Sequence, residues 1–385
     1  MKKKVFAALL AGCMTVGLMA GCGSSSDDES TDTSTATSEA SDESSASEET
    51  EETEETETTA NGDYTFEVIV KSYQSTYWQA AVTGIDQAAE DYGVTVNTTG
   101  PNAESDIADQ VNMLNSAINS APDGIALAAD DTSAVLDSLQ TALDAGIPVV
   151  AFDTAIPEAP EGSVYATIAT DSYSAAAIAA DHLYEAIADQ LGDGQVRIGE
   201  VNQDATSSNI TDRGMGFIDE IITLAEADGY TVAVTGNDYY VNLVENNGDE
   251  STADIIIDVA VPSATTVELS MSEAQAIMNE SDTIAMFGSN QVTAEGILSA
   301  NENLNVLNNG IIAVGFDAGT TIKEAVADGT MYGAVTQAPV DQGYLAIETL
   351  VQICNGEEVE DITTDCYWYD ASNMDDEDIA GNLYD

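Results

Sequence analysis

Hydrophobic and polar positions along this chain switch repeatedly between two periods. "YTFEVIVKS", from Tyr64, alternates like a strand; residues 77–92 then take helical spacing, with Ala81, Ile85, Ala88 and Ala89 before Gly93. "VTVNTT", a helix over 105–119, "DGIALAA", a helix around 132–145 and "GIPVVAFD" extend the series. An alternation of this kind predicts a parallel sheet with helices on both faces. The right-handed crossover rule leaves it few topologies.

The same grammar then restarts. "SVYATIATD" leads into a helix over about 172–191, followed by "QVRIGEVN", a helix from about Asn209, "YTVAVTG", "ADIIIDVAV" and a helix through "EAQAIMN". "TIAMFGSN", a helix from Gln291, "GIIAVGFD", "TTIKEAVADG" and "MYGAVTQ" complete a second α/β unit. Residues 237–254 carry no clear period and read as a long loop or hairpin. A further helix, "PVDQGYLAIETLVQICNG", and a strand near "ITTDCYWY" end the chain. The expected fold class is therefore α/β, with two doubly wound parallel-sheet lobes.

The N-terminus changes the picture. "MKKK" followed by a short, glycine-broken apolar run reads as an export signal over 1–21. It ends at Cys22 in "LMAGC", which looks like the lipobox of bacterial lipoproteins, so Cys22 is the expected lipidation site and membrane anchor. Residues 22–62 then form an acidic tether rich in Ser, Thr, Glu and Asp. Such a segment has too little apolar surface to offset its ordering entropy and is expected to stay disordered.

The chain carries seven Lys plus Arg against 70 Asp plus Glu, a formal net charge of -63. With no basic patch to displace counterions from phosphates, nucleic acid is excluded as a partner. Three lysines belong to the N-terminus, leaving Lys71, Arg197, Arg213 and Lys323 elsewhere. Phosphate-binding glycine loops and a nucleophile elbow are missing from the sequence, and His182 is the sole histidine, on an alanine-rich helix. An enzyme, a cofactor and a metal site are therefore not expected. Cys354 and Cys366 remain after export; their spacing leaves open whether they form a disulfide.

In open α/β sheets, ligands sit beyond the carboxyl ends of the strands. Those positions collect Lys71 with Ser75, Tyr77 and Trp78, then Asp153, Arg213, Asn290, Asp317 and Gln337. Aromatic faces stack on the C–H faces of a sugar, while charged and amide groups pair with its hydroxyls. Each hydrogen bond to a charged group is worth roughly 1.5–3 kcal/mol. Plainer roles compete: Lys71 as a counter-ion, Tyr77 and Trp78 as a core anchor, and Asp153, Asp317 and Asn290 as helix caps. Arg197 and Lys323 have no such placement and read as structural.

"VIVKSYQSTYW", "VVAFDTA", "IATDS", "TDRGMGF", "FGSN", "VGFD" and "TQAPVDQGYLA" occur in order and at fitting intervals. Together they resemble the type I periplasmic sugar-binding proteins of the ribose, galactose and allose group. The resemblance implies a flytrap of two lobes joined by a three-segment hinge, passing near Asp171, Gln337 and Cys366. It implies an N-terminal lobe of 63–170 plus 338–365 and a C-terminal lobe of 171–337 plus 366–385. The nine strand-end residues become the expected ligand contacts. The implied partners are a small molecule, expected to be a monosaccharide, and an ABC transporter permease, for a monomeric protein on the outer face of the cytoplasmic membrane. Departures from the group, such as Thr154 after Asp153, leave the sugar open. A nucleoside, a furanone signal or a sugar acid are alternatives, as is a chemosensory module. The group's second-lobe aromatic wall has Tyr239 and Tyr240 as candidates here, with Thr265 near the equivalent place.

Overall fold

The computed structural model describes residues 63–385; the export signal, Cys22 and the acidic tether lie outside the described residues. In chain order the first part runs through β1 (Thr65–Ile69), α1 (Thr76–Tyr92), β2 (Thr95–Thr99), α2 (Ile107–Ser120), β3 (Gly124–Leu127), α3 (Leu136–Ala145), β4 (Val149–Phe152) and β5 (Val164–Thr170). Next come α4 (Ser172–Ile187), β6 (Val196–Val201), α5 (Ser208–Ala227), β7 (Val232–Gly236), α6 (Asp238–Leu243), β8 (Ile255–Ala260) and α7 (Val267–Met278). They are followed by β9 (Thr283–Gly288), α8 (Gln291–Leu304), β10 (Ile312–Phe316), α9 (Thr320–Ala327) and β11 (Gly333–Gln337). The chain ends with α10 (Pro339–Cys354), β12 (Ile362–Thr364), β13 (Cys366–Tyr369) and α11 (Glu377–Ala380).

Two sheets result. The first has the order β12-β5-β4-β3-β1-β2 and is parallel throughout. The second has the order β13-β11-β10-β9-β6-β8-β7 and is parallel except at β13, which runs against β11. Central strands such as "GIAL" and "VVAF" are buried at every position, as expected of strands covered on both faces. Edge strand β2, "TVNTT", is only partly covered. Each sheet carries an apolar layer on both faces: Phe66, Ile85 and Leu350 against Leu114, Leu127 and Leu139 in the first. In the second, Phe217 and Phe287 oppose Met286 and Ile297.

The chain passes between the sheets three times, at β5 to α4, β11 to α10 and β12 to β13. Gln342 of α10 joins two of these passes, its Nε2 donating to Thr170 Oγ1 at 3.0 Å and Thr364 Oγ1 at 3.1 Å. Helix α10 reaches that place by packing backbone to backbone on α1. A Cβ on Gly84 would lie 1.9 Å from Val340 O, and one on Gly343 would lie 2.1 Å from Ala81 O. Only glycine at both positions permits this approach, which seats the start of α1, and with it Tyr77 and Trp78, against the hinge.

Some sequence expectations need correction, and others are answered as they stood. Residues 237–254 are neither a plain loop nor a hairpin: Asn237 caps the short helix α6, whose Tyr240 is fully buried. That burial explains why so polar a segment begins with structure. "ITTDCYWY" is two strands, because a change of sheet at Asp365 interrupts a single apolar run. Cys354 and Cys366 are free thiols, packed against the cores of opposite lobes, so no disulfide joins them. Arg197 pairs with Asp258 at 2.7 Å and Asp282 at 3.1 Å, and Lys323 with the C-terminal Asp385, both away from the cleft. His182 lies flat on Trp368, ring centres 4.0 Å apart. No helix among the described residues is long and apolar enough to cross a membrane.

Candidate functional site

The carboxyl ends of the two sheets face one another across a cleft. One cavity there is lined by all nine expected contacts, Lys71, Ser75, Tyr77, Trp78, Asp153, Arg213, Asn290, Asp317 and Gln337, drawn from both lobes, with Tyr77 and Trp78 in the first turn of α1 and Arg213 in the second turn of α5. The lobes are closed tightly, leaving about 20 Å³ for the centre of a water-sized sphere. That is roughly room for one water, so a sugar-sized ligand requires the cleft to open.

On the N-terminal side the pieces are preorganised. Lys71, 2% exposed just past β1, holds its Nζ 3.1 Å from Asp153 Oδ2. Tyr77 Oη donates to Asp153 Oδ1 at 2.8 Å, with Gln342 Oε1 a second acceptor at 3.1 Å. Thr154 Oγ1 lies 2.8 Å from Asp153 Oδ2. Trp78 meets Tyr77 edge to face, and its Nε1 donates to Glu104 Oε1 at 2.8 Å. Burial pushes Asp153 up, yet Lys71, Thr154 and Tyr77 together bring its carboxyl below the ordinary value. Burial likewise pulls Lys71 down, and Asp153, Glu104 and Asp204 more than reverse it. Each partner of this pair therefore favours the charged form of the other.

The C-terminal side is built differently. Arg213, on α5, is 1% exposed and stacks its guanidinium 3.7 Å above the centre of the Phe316 ring. Its Nη1 donates to Ser289 O at 2.7 Å and lies 3.9 Å from Asp317 Oδ2, while Nε has no protein partner. Asp317 accepts from Gln337 Nε2 at 2.6 Å and from the backbone N–H of Gln291 at 3.0 Å. Here burial outruns Arg213 and Gln337 and leaves the Asp317 carboxyl raised. Asn290 caps α8 in a capping box with Thr293, and its Nδ2 contacts Gln203 Oε1.

Asp153 and Asp317 share one peculiarity, with φ of 62° and 71°. A non-glycine residue in the left-handed region costs of order 1–3 kcal/mol unless its surroundings impose it. Both follow a central strand directly, and the turn swings each carboxylate inward. Neither caps the helix that follows it: α9 is capped by Gly319, and Asp317 reaches across to the start of α8.

Six lining residues were not singled out in the sequence: Glu104, Gln203, Asn209, Ile210, Gln291 and Val292. Asn209 is one of several polar links between the lobes. Its Oδ1 accepts from Lys71 Nζ and Thr154 Oγ1, both at 3.2 Å, and its Nδ2 donates to Asp153 Oδ2 at 3.0 Å. It precedes Arg213 by one helical turn, a spacing that places both on one face. Gln203 follows the end of β6, where the strand-end rule reaches it. Its Nε2 donates to Glu104 Oε2 at 2.8 Å. Glu104, in the irregular segment before α2, had no sequence signal. Burial raises its carboxyl against the pull of Lys71 and Trp78. Neither Tyr239 nor Tyr240 lines the cavity; Tyr240 Oη instead donates to Asp204 O at 2.7 Å.

The chain matches the family described as periplasmic binding protein domain over residues 66–358. It is 23% identical over 298 residues to the ribose import binding protein of Bacillus subtilis strain 168, covering 77% of this chain and 84% of that one. An ABC transporter solute-binding protein from Agrobacterium vitis, solved with bound D-fucose, superposes with a TM-score of 0.69 at 26% identity, covering 83% of this chain and 100% of that one. A Brachyspira murdochii protein described as an ABC transporter, LacI family transcriptional regulator gives 0.69 at 29% identity, covering 84% and 99%. By that match, and by two parallel-sheet lobes meeting at a single polar cleft, the chain belongs to the periplasmic binding protein family, with the type I fold.

Proposed function

We propose that the chain is an extracytoplasmic solute-binding lipoprotein that captures a neutral monosaccharide between its lobes and delivers it to an ABC importer. The observation that carries this reading is the composition of the cleft. Aromatic Tyr77 and Trp78 stand beside a ring of donors and acceptors contributed by both lobes. A polyol engaging Lys71 and Asp153 on one side and Arg213, Asn290 and Asp317 on the other links the lobes, so binding favours closure. Sugar names attached to relatives point the same way, since the Bacillus relative is a ribose import protein and the Agrobacterium relative holds D-fucose.

Charge narrows the ligand. Lys71 and Arg213 face three lining carboxyl groups, Asp153, Asp317 and Glu104. A sugar acid would bring a fourth, which weighs against uronates. At the membrane end, lipidated Cys22 and the 22–62 tether would hold a monomer within reach of its permease.

A thermal-shift panel of neutral pentoses and hexoses, uronates and nucleosides tests the binding claim. A ligand at a hundred times its Kd stabilises by about 2.7 kcal/mol, and the expected hits are neutral sugars. Hits confined to uronates or nucleosides, or no hit at all, would overturn it. For the anchor, Cys22→Ala is expected to release the protein from membranes into the medium.

A further inference from the structure

The inner cavity does not end at a solid wall. Ser75, Glu104, Gln291 and Val292 line it and also line a second chamber of about 390 Å³ at the cleft mouth. Ser72, Gln74, Thr76 and Asn102 bound that chamber from the N-terminal lobe, and Thr265 and Glu295 from the C-terminal lobe. Those four shared residues stand between the two spaces, and among them Gln291 bonds across to the opposite lobe. Gln291 Nε2 donates to Thr76 Oγ1 at 2.9 Å and to Glu295 Oε1 at 3.0 Å, and its Oε1 accepts from Ser75 Oγ at 3.4 Å. No aromatic ring, lysine or arginine lines the outer chamber.

We propose that the outer chamber is a second saccharide subsite, so that the sugar ring held inside carries a further neutral polyol unit outward past Gln291. This rests on the carbohydrate reading above and extends it from one ring to two. Hydroxyls and amides from both lobes match a hydroxyl-rich unit in donors and acceptors. Glu104 and Glu295 weigh against an anionic substituent such as a phosphate, because a further acidic group in a partly desolvated site without a cation is repelled rather than paired. A flat apolar group finds no stacking surface there. Opening the partition exchanges the three glutamine hydrogen bonds for bonds to the linkage oxygen and the second ring, so the polar groups stay satisfied.

Calorimetry on the full chain should compare matched pairs, such as glucose with maltose and cellobiose, galactose with lactose, and xylose with xylobiose. Thr265 and, on the opposite lobe, Asn102 line the outer chamber and not the inner cavity, so Thr265→Trp and Asn102→Trp each occlude the outer space from outside the inner lining. At least one disaccharide is expected to bind tenfold or more tightly than its single ring. Each tryptophan variant should weaken that disaccharide at least tenfold and leave the monosaccharide within twofold, which also reports that the variant is folded. Monosaccharide binding with no disaccharide bound, or disaccharide affinity unchanged in both variants, overturns the second subsite while sparing the carbohydrate reading. Binding of neither size overturns both.

Discussion

The two lobes present the same device with opposite electrostatics. Asp153 and Asp317 each follow a central strand in the left-handed region, and each amide donates to a neighbouring strand, Asp153 to Ile168 O and Asp317 to Val335 O. Asp153 is held by a buried ammonium at 3.1 Å and lies below its ordinary value. Asp317 has its guanidinium 3.9 Å away, committed to Ser289 O and the Phe316 ring, and lies above. A duplicated backbone therefore offers a firmly charged acceptor on one side and a softer one on the other. Distance and the cation's other commitments make the difference, not the carboxylates themselves.

The largest expected effect comes from breaking the tighter pair. Asp153→Asn tolerates the positive φ but leaves Lys71 buried without its nearest counter-ion, and should cost about 3–5 kcal/mol in urea unfolding. Asp317→Asn should cost no more than about 1 kcal/mol, since burial already disfavours the Asp317 charge and Arg213 keeps its carbonyl and ring partners. Equal losses would erase the distinction between the lobes. Lys71→Met combined with Asp153→Asn should recover part of the first loss.

Arg213→Lys comes next. It keeps the charge but loses the planar fork that spans Ser289 O, Phe316 and the cleft. Calorimetry should show sugar affinity lowered about tenfold, or ~1.4 kcal/mol. Because Arg213 is buried, Arg213→Ala is expected to lower the melting temperature as well as affinity.

The pH dependence should differ between the carboxyls. Asp153, lowered, stabilises above its ordinary 3.8 and loses that contribution as pH falls through its folded value. Asp317, raised, contributes below 3.8 and loses that contribution as pH rises through its folded value. Asp130, pushed up to about 9 first by burial and then by Glu104, acts in Asp317's sense. Wild-type stability relative to Asp130→Asn should therefore fall from about pH 4 to about pH 9 and then level off. Parallel profiles for the two proteins would contradict this.

Asn209→Ala should have the smallest effect. It removes a cross-lobe amide bonded to Lys71 and Asp153, groups that water serves once the cleft opens, so the net loss is about 1 kcal/mol and affinity falls roughly fivefold. Small-angle scattering should show a more open average shape, and an unchanged profile would reassign the closure to other contacts.

Much of the fold was legible because its signals are local. Period two against helical spacing marked each βα unit, and Gly93 and Asn290 fell at helix ends as a stop and a cap. Legibility failed where neighbours on the chain say nothing. Residues 237–254 look polar throughout, yet Tyr240 is buried beneath them. Glu104 belongs to a segment without period. Cys354 and Cys366 are close in sequence and lie in different lobes.

By itself the sequence determined two α/β units, the strand-end positions able to meet a ligand, and the scarcity of cations that drew attention to Lys71 and Arg213. Tertiary structure alone decided that those ends face each other, that Lys71 is shared between Asp153 and an asparagine 138 residues away, and that Arg213 is engaged by a ring and a carbonyl. The physical reason is range. Backbone periodicity is read within a few residues, whereas a buried charge takes its partner, and hence its protonation, from whatever the opposing sheet brings within about 4 Å.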